Sequence, residues 1–262
     1  MSFSFVKKGV PAILFEMCAF CSQLEHEHAG TLEAITLPVV QRILTGGRCS
    51  TVRVWLGVWQ QEWTSAELAT PEREDTPASS CESVQVHLEA WSKDQPAPAG
   101  MQTMLSRLER ELDYEAVYAG LHVFPAAYSS IDSVVGHCKR AVLMVPDILA
   151  GARPFACMLL LRELLTNAIA HGQSDASPPL VGFCCQLFKE SGIMRLVVQD
   201  WGPGFDLEAK LREMNREPDL RSRHRGLLIM NTLSEKVAVS PGRVEVICRP
   251  GNMTLPDEEE EE

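Results

Sequence analysis

Nowhere in the 262 residues does an apolar run approach the ~18 needed to span a bilayer, so no membrane-spanning helix is expected. The opening residues, MSFSFVKKGVPAILFEM, lack the long apolar core and small-residue cleavage site of a secretory leader. An excess of basic charge is missing too. Lys and Arg number 24 against 35 Asp and Glu, a net charge of -11 that disfavours nucleic acid and acidic membrane as partners. Part of that charge is the tail DEEEEE at 257–262, read as a solvated, disordered end. Cysteine is not scarce, but its nine copies are scattered and odd in number, which points away from a disulfide framework and toward reduced thiols. No internal repeat is evident. What remains, 45% hydrophobic and 23% charged, is the balance of a folded cytoplasmic protein. Its length accommodates one large domain or two of about 100–150 residues each.

Residues 64–80 and 94–100 are rich in Pro, Ala, Ser or charge without an apolar period and read as loops or linkers. A boundary near Gly120 divides the chain into a smaller α/β unit at 1–119, a second domain at 120–252 and the tail at 253–262. In the first unit, FSFVKKG and VPAILFEM look like paired strands, LEAITLPVVQRILTGG like a helix ending at Gly46 and Gly47, and TVRVWLGV and SVQVHLEAW like strands. MQTMLSRLERELDYEAVYAG has helical apolar spacing. In the second come a short strand LHVF, a helix capped by Ser129 or Ser130, and a helix starting near Pro154. The strands LVGFCCQLF, GIMRLVVQD and RVEVICRP follow. Cys18, Cys21, His26 and His28 have the residue types of a metal site, but no second C-x-x-C follows. The two cysteines are read as buried structural thiols, and no structural metal is expected. Cys184, Cys185, Trp55, Trp59 and Trp63 are read as packing residues.

Residues 162–172 read RELLTNAIAHG, in which Glu163, Asn167 and His171 recur every four residues and so line one side of a helix. The solvated side of an ordinary amphipathic helix has the same spacing. Here Met158, Leu159, Leu160, Leu161, Leu164, Leu165, Ala168 and Ile169 leave little else of the helix polar, and a mostly buried helix needs a reason to carry Glu and Asn. In IMRLVVQDWGPGFD a strong strand ends on Asp200 and runs into Gly202, Pro203 and Gly204. That pattern lets a carboxylate accept a ligand amine while the backbone passes close by, although a plain Asp-Gly turn shares its letters. In RSRHRGLLIMNTLSEKV, Gly226 opens an apolar helix directly after Arg221, Arg223 and Arg225. A helix N-terminus with guanidinium neighbours suits a phosphate chain.

In this order the three signals resemble the asparagine box and the two glycine boxes of the GHKL superfamily, the Bergerat ATP-binding fold shared by gyrase, histidine kinases and mismatch-repair ATPases. The wording E-L-L-T-N-A-I-A-H-G, V-x-D-x-G-x-G-F-D and R-G-L-x-x-M is similar to that of the anti-sigma-factor serine/threonine kinases of bacterial partner switching. The resemblance covers 121–249 and implies an α/β (α+β) fold: a two-layer α/β sandwich with a mixed sheet, preceded by the smaller α/β unit. It implies ATP and Mg2+ as cofactors. Asn167 would hold Mg2+ against the phosphates, Asp200 would bond the adenine amino group, and Gly202 and Gly204 would let the chain pass the base. Gly226 would start the helix that meets the phosphates, with Arg225 beside it and His171 on the same stripe as Asn167. Glu163 would be the general base, a role that its place one turn from the amide also supports on physical grounds. Residues 207–223, polar and without strand pattern, would form the ATP lid. The glycine common in the family just before R-G-L is His224 here, a departure that bears on rate more than on binding. Membership of the histidine kinases would need a dimerising helical pair with a phosphoacceptor histidine. His122 and His137 fall inside the ATP-binding segment and His87 in a strand, which favours the anti-sigma branch.

Residues 30–58 faintly resemble a STAS domain, the fold of the antagonists that these kinases phosphorylate. Gly30, Leu32, Glu33, Thr36 and Pro38 follow its opening motif, but EWTSAEL replaces the serine loop, with Thr64 or Ser65 as the acceptor candidates. An unassigned sensory α/β unit is the other reading. The resemblance thus implies transfer of the ATP γ-phosphate to a Ser or Thr of a STAS-type anti-sigma-factor antagonist. It admits a sigma factor as a further partner and a homodimer. The alternative is a nucleotide-dependent binding module without kinase activity.

Overall fold

The computed structural model describes residues 31–45, 49, 51–57, 59–64, 83–144, 154–173, 178–216 and 225–253. The expected strands before residue 30, the helix end at Gly46 and Gly47, and the set Cys18, Cys21, His26 and His28 lie outside those residues. So do Ser65, Arg221, Arg223, His224 and the acidic tail.

Helix α1 (Leu32–Thr45) buries Leu32, Thr36, Val39, Val40, Ile43 and Leu44, the three- and four-residue steps that put one stripe on a core. Strands β1 (Thr51–Leu56) and β3 (Ser83–Leu88) bury alternate residues, Val52, Val54 and Leu56 in one and Val84, Val86 and Leu88 in the other. Between them β2 (Trp59–Thr64) returns antiparallel on β1 after Gly57, whose φ of 60° suits a residue without Cβ. Glu62, Trp63 and Thr64, read as part of a loop replacing the serine motif, are therefore strand, with Thr64 in register with Thr51.

Helix α2 (Met101–Glu109) is shorter than its apolar spacing suggests. The chain turns at Asp113, whose side chain accepts the Glu115 N–H at 3.0 Å. It then enters β4 (Tyr118–Pro125), where every residue but the last is buried. Next come α3 (Ile131–Met144), α4 (Pro154–His171), β5 (Leu180–Phe188) and β6 (Ile193–Gln199). The chain ends with α5 (Leu207–Arg216), α6 (Arg225–Leu233), β7 (Lys236–Ser240) and β8 (Arg243–Cys248). Strand β7 was not anticipated; it is a five-residue edge strand, half-exposed, with little alternation to read.

The eight strands form one mixed sheet in the order β2-β1-β3-β4-β5-β6-β8-β7, in which only β1/β3 and β3/β4 are parallel. The boundary placed near Gly120 falls inside β4, which is hydrogen-bonded to β3 on one side and β5 on the other. The sheet therefore runs across that boundary without a break. One face carries α1 and α2 over a core including Ile43, Val54, Val86, Leu105 and Leu121. The other carries α3, α4 and α6 over Phe124, Leu160, Leu164, Phe183, Leu196 and Met230. Alternation along β4 to β6 sends neighbouring residues to opposite cores: Leu121 and Cys184 to the first, Phe124 and Cys185 to the second. The architecture is the expected α/β sandwich on a mixed sheet, with α2 backing its centre. No helix among the described residues is long and apolar enough to cross a membrane.

Candidate functional site

A cavity of about 600 Å3 opens beside α4 and is closed by the end of β6, the loop after it, α6 and the β7–β8 turn. Glu163, Asn167 and His171 line it from α4; Asp200, Gly202 and Gly204 line it from the β6 end; Arg225 and Gly226 line it from α6. These eight candidate nucleotide-site residues thus meet in one place. The volume lies within the roughly 300–1,000 Å3 range of small-molecule sites.

The packing of α6 on α4 depends on one missing side chain. A Cβ on Gly226 would lie 2.5 Å from Glu163 Oε2 and 3.5 Å from Asn167 Nδ2, so glycine lets the first turn of α6 settle on the polar stripe. The first turn of α6 thus lies against a carboxylate and an amide. Asn167 Nδ2 donates to Met230 Sδ at 3.3 Å, which leaves its amide oxygen available to a cation or a ligand donor.

Asp200 is buried at the end of β6, and its Oδ1 accepts the Gly202 N–H at 2.9 Å. Burial raises its pKa above the ordinary carboxylate value, while the Gly202 N–H and the Arg107 charge pull the other way. The second oxygen, Oδ2, is the acceptor left for a ligand amine. Behind it stands Gly172, where a Cβ would lie 2.5 Å from the Ala168 carbonyl oxygen and against the Asp200 carboxylate. Gly204 has a φ of 75° and brings the chain so near the β7–β8 turn that a Cβ would sit 2.9 Å from the Ser240 carbonyl oxygen.

Three contributors escaped the sequence reading. Gly172 closes the quoted RELLTNAIAHG run, yet its role shows only once Asp200 packs against it. Arg107, on α2, donates from Nη1 to the Asp200 carbonyl at 2.7 Å and from Nη2 to the Gly242 carbonyl at 2.9 Å. Its guanidinium carbon also lies 5.3 Å from the Trp201 ring centroid. Nothing local in the sequence marks Arg107, because both of its acceptors are backbone groups far along the chain. Lys210 lines the cavity from α5, whose first turn is held by Asp206 Oδ1 accepting the Ala209 N–H at 2.9 Å. The stretch read as an irregular lid therefore begins as helix, and 217–224 lies outside the described residues.

The back of the site is tied by Glu111. It accepts from Arg195 Nη2 at 2.8 Å, Arg243 Nε at 2.7 Å and Gln199 Nε2 at 2.8 Å. Burial alone would push the Glu111 carboxyl up, but Arg243 and Arg195 outweigh it and hold it below the ordinary value.

Residues 139–249 match the family of histidine kinase-like ATPase domains. No curated protein matches the chain. The matched segment runs from the second half of α3 to just past β8 and includes every residue lining the cavity. A match to an ATPase domain implies ATP binding, and the cavity has features that suit a nucleotide: a buried carboxylate acceptor, glycines at the close approaches, and a helix N-terminus with Arg225 beside it. Arg107 and Glu111 lie outside the matched segment yet hold its site from behind.

Proposed function

We propose that the protein is an ATP- and Mg2+-dependent protein serine/threonine kinase of the anti-sigma type, acting in the cytoplasm on a STAS-type antagonist. The observation that carries this reading is the convergence of Glu163, Asn167 and the Gly226 turn of α6 at one end of the cavity, with Asp200 also lining it. Asp200 Oδ2 accepts from the adenine amino group, and the phosphates run toward the α6 N-terminus and Arg225. Asn167 would hold Mg2+ through its amide oxygen, and a metal bound there would supply neutralisation of phosphate charge, where most of the catalysis of phosphoryl transfer lies. Glu163 accepts the proton of the incoming Ser or Thr hydroxyl. The hydroxyl oxygen bonds to the γ-phosphorus, the bond from that phosphorus to the bridging oxygen breaks, and ADP leaves with the electron pair.

The box wording and the acidic surface charge support a protein partner over nucleic acid. A sigma factor as further partner, and a homodimer, belong to the same proposal. The test is incubation of the protein with γ-labelled ATP and Mg2+ beside STAS-domain proteins of its own genome. Label on a Ser or Thr of one of them is the expected result. Nucleotide binding with no transfer to any of them would instead favour a nucleotide-gated binding module.

A further inference from the structure

Away from the cavity, three imidazoles and one carboxylate gather on the α3 side of β3 and β4. Local rules put them there. His87 and Glu89 are two apart at the end of β3 and share a face; His122 stands in register with His87 on β4; Ser133 and His137 are one turn apart on α3. One donor atom from each of His87, Glu89, His122 and His137 lies within 4.8 Å of all the others. The His87 ring stacks between Trp55 and His122, with centroids at 4.4 and 4.5 Å.

Hydrogen bonding within the cluster does not account for all three rings. Glu89 Oε1 lies 2.8 Å from His137 Nδ1 and 3.4 Å from His122 Nδ1, and Ser133 Oγ donates to Oε2 at 2.6 Å. Glu89's hydrogen bonds go to His122, Ser133 and His137 rather than to His87. The His87 Nε2 lies 3.4 Å from Gln85 Oε1, an acceptor that suits a proton on Nε2 and a lone pair on Nδ1. Among the described residues that buried Nδ1 has no partner, and neither has His122 Nε2, in a ring of zero exposure.

We propose that His87, Glu89, His122 and His137 form a binding site for one divalent first-row transition ion, Zn2+ first among them. Tetrahedral zinc with ligands at about 2.0–2.1 Å sets its donors about 3.3 Å apart; Glu89 Oε1 stands 3.4 Å from His122 Nδ1 and 2.8 Å from His137 Nδ1, and all four donors lie within 4.8 Å, so small side-chain turns bring the set onto one ion. Imidazole-rich sets take such ions, whereas Mg2+ prefers oxygen, so this is not the metal of the nucleotide site. Ser133 on the carboxylate and Gln85 on the His87 ring act as the outer partners that orient ligands, and Tyr118 reaches Gln85 in turn at 3.4 Å. The expectation of no structural metal rested on the spacing of Cys18, Cys21, His26 and His28; this cluster draws its ligands from three separate elements, which no linear spacing displays.

The test uses the full chain, stripped with a chelator and titrated with Zn2+ against a chromophoric chelator, and with Co2+ while its visible ligand-field bands are recorded. One tight equivalent per chain is expected. His137→Gln and Glu89→Gln, each checked for folding by circular dichroism, should weaken it at least about 100-fold, and Ser133→Ala about 10-fold. His137 is the most exposed ligand, with 23% of its side chain accessible, so its substitution leaves the core intact. A Cys18→Ser/Cys21→Ser variant should keep the equivalent. Absence of a tight equivalent, or one that survives both His137→Gln and Glu89→Gln, or one lost with the two cysteines, would overturn the proposal.

Discussion

Replacing Gly172 with alanine adds a single methyl group to the molecule, and the structure says where it lands. The new Cβ would sit 2.5 Å from the Ala168 carbonyl oxygen and press on the Asp200 carboxylate. The carbonyl is backbone at the end of α4, where it accepts the Gly172 N–H at 2.9 Å, so it has little room to yield. The carboxylate therefore moves, away from the position set by its bond to the Gly202 N–H. A hydrogen bond to a charged acceptor contributes about 1.5–3 kcal/mol. At 1.4 kcal/mol per factor of ten, losing the proposed adenine contact should weaken ATP about 10- to 150-fold. Overpacking of this kind lowers stability by about 1–3 kcal/mol. Isothermal titration with ATP, alongside a urea melt, reads both effects. Asp200→Asn, which keeps the shape and removes the charged acceptor, should weaken ATP to a similar degree without the stability loss. If Gly172→Ala binds ATP within about twofold of the unaltered protein, Asp200 is not the group that grips the nucleotide.

Two further predictions concern the supports behind the site. Arg107→Ala removes two bonds to the carbonyls of Asp200 and Gly242, at 2.7 and 2.9 Å. It should lower stability by about 1–2 kcal/mol in a urea melt and weaken ATP, although Arg107 lies outside the matched domain. Glu111 is held below its ordinary value of 4.5, so its folded form binds a proton less readily than its unfolded form. Its contribution is therefore complete above about pH 4.5 and is lost as the pH falls through the lowered folded value. Urea melts between pH 3 and pH 7 should show Glu111→Gln to be less stable than the unaltered protein at pH 7, with the gap narrowing as the pH drops toward 3. A gap that stays constant over that range would contradict the ion-pair account.

What the sequence makes legible is what lies within one element. The four-residue step of Glu163, Asn167 and His171, the carboxylate-glycine run at Asp200 and the glycine opening α6 are each local, and each occupies the cavity. What escapes is what joins distant residues. Arg107 reaches the backbone at Asp200 and Gly242, and the three imidazoles near Glu89 come from β3, β4 and α3. The position near Gly120 falls inside a strand for a related reason. Composition marks linkers, but strand pairing decides sheet continuity, and β4 takes a partner from each side of the division. The α2 spacing that continues toward Tyr118 is overridden by the Asp113 turn and by two neighbouring strands competing for that backbone.

The central claim rests on the division of labour between Glu163 and Asn167, and one comparison tests it directly. Phosphoryl transfer from γ-labelled ATP to the STAS partner is timed in a single turnover for the unaltered protein, Glu163→Gln and Asn167→Ala, with ATP affinity measured for each. A general base contributes ~100- to 10,000-fold, so Glu163→Gln should lose that much rate while keeping ATP affinity within a few-fold. Asn167→Ala should lose both affinity for Mg2+-ATP and transfer. Transfer by Glu163→Gln at the unaltered rate, with ATP bound as before, would contradict the account.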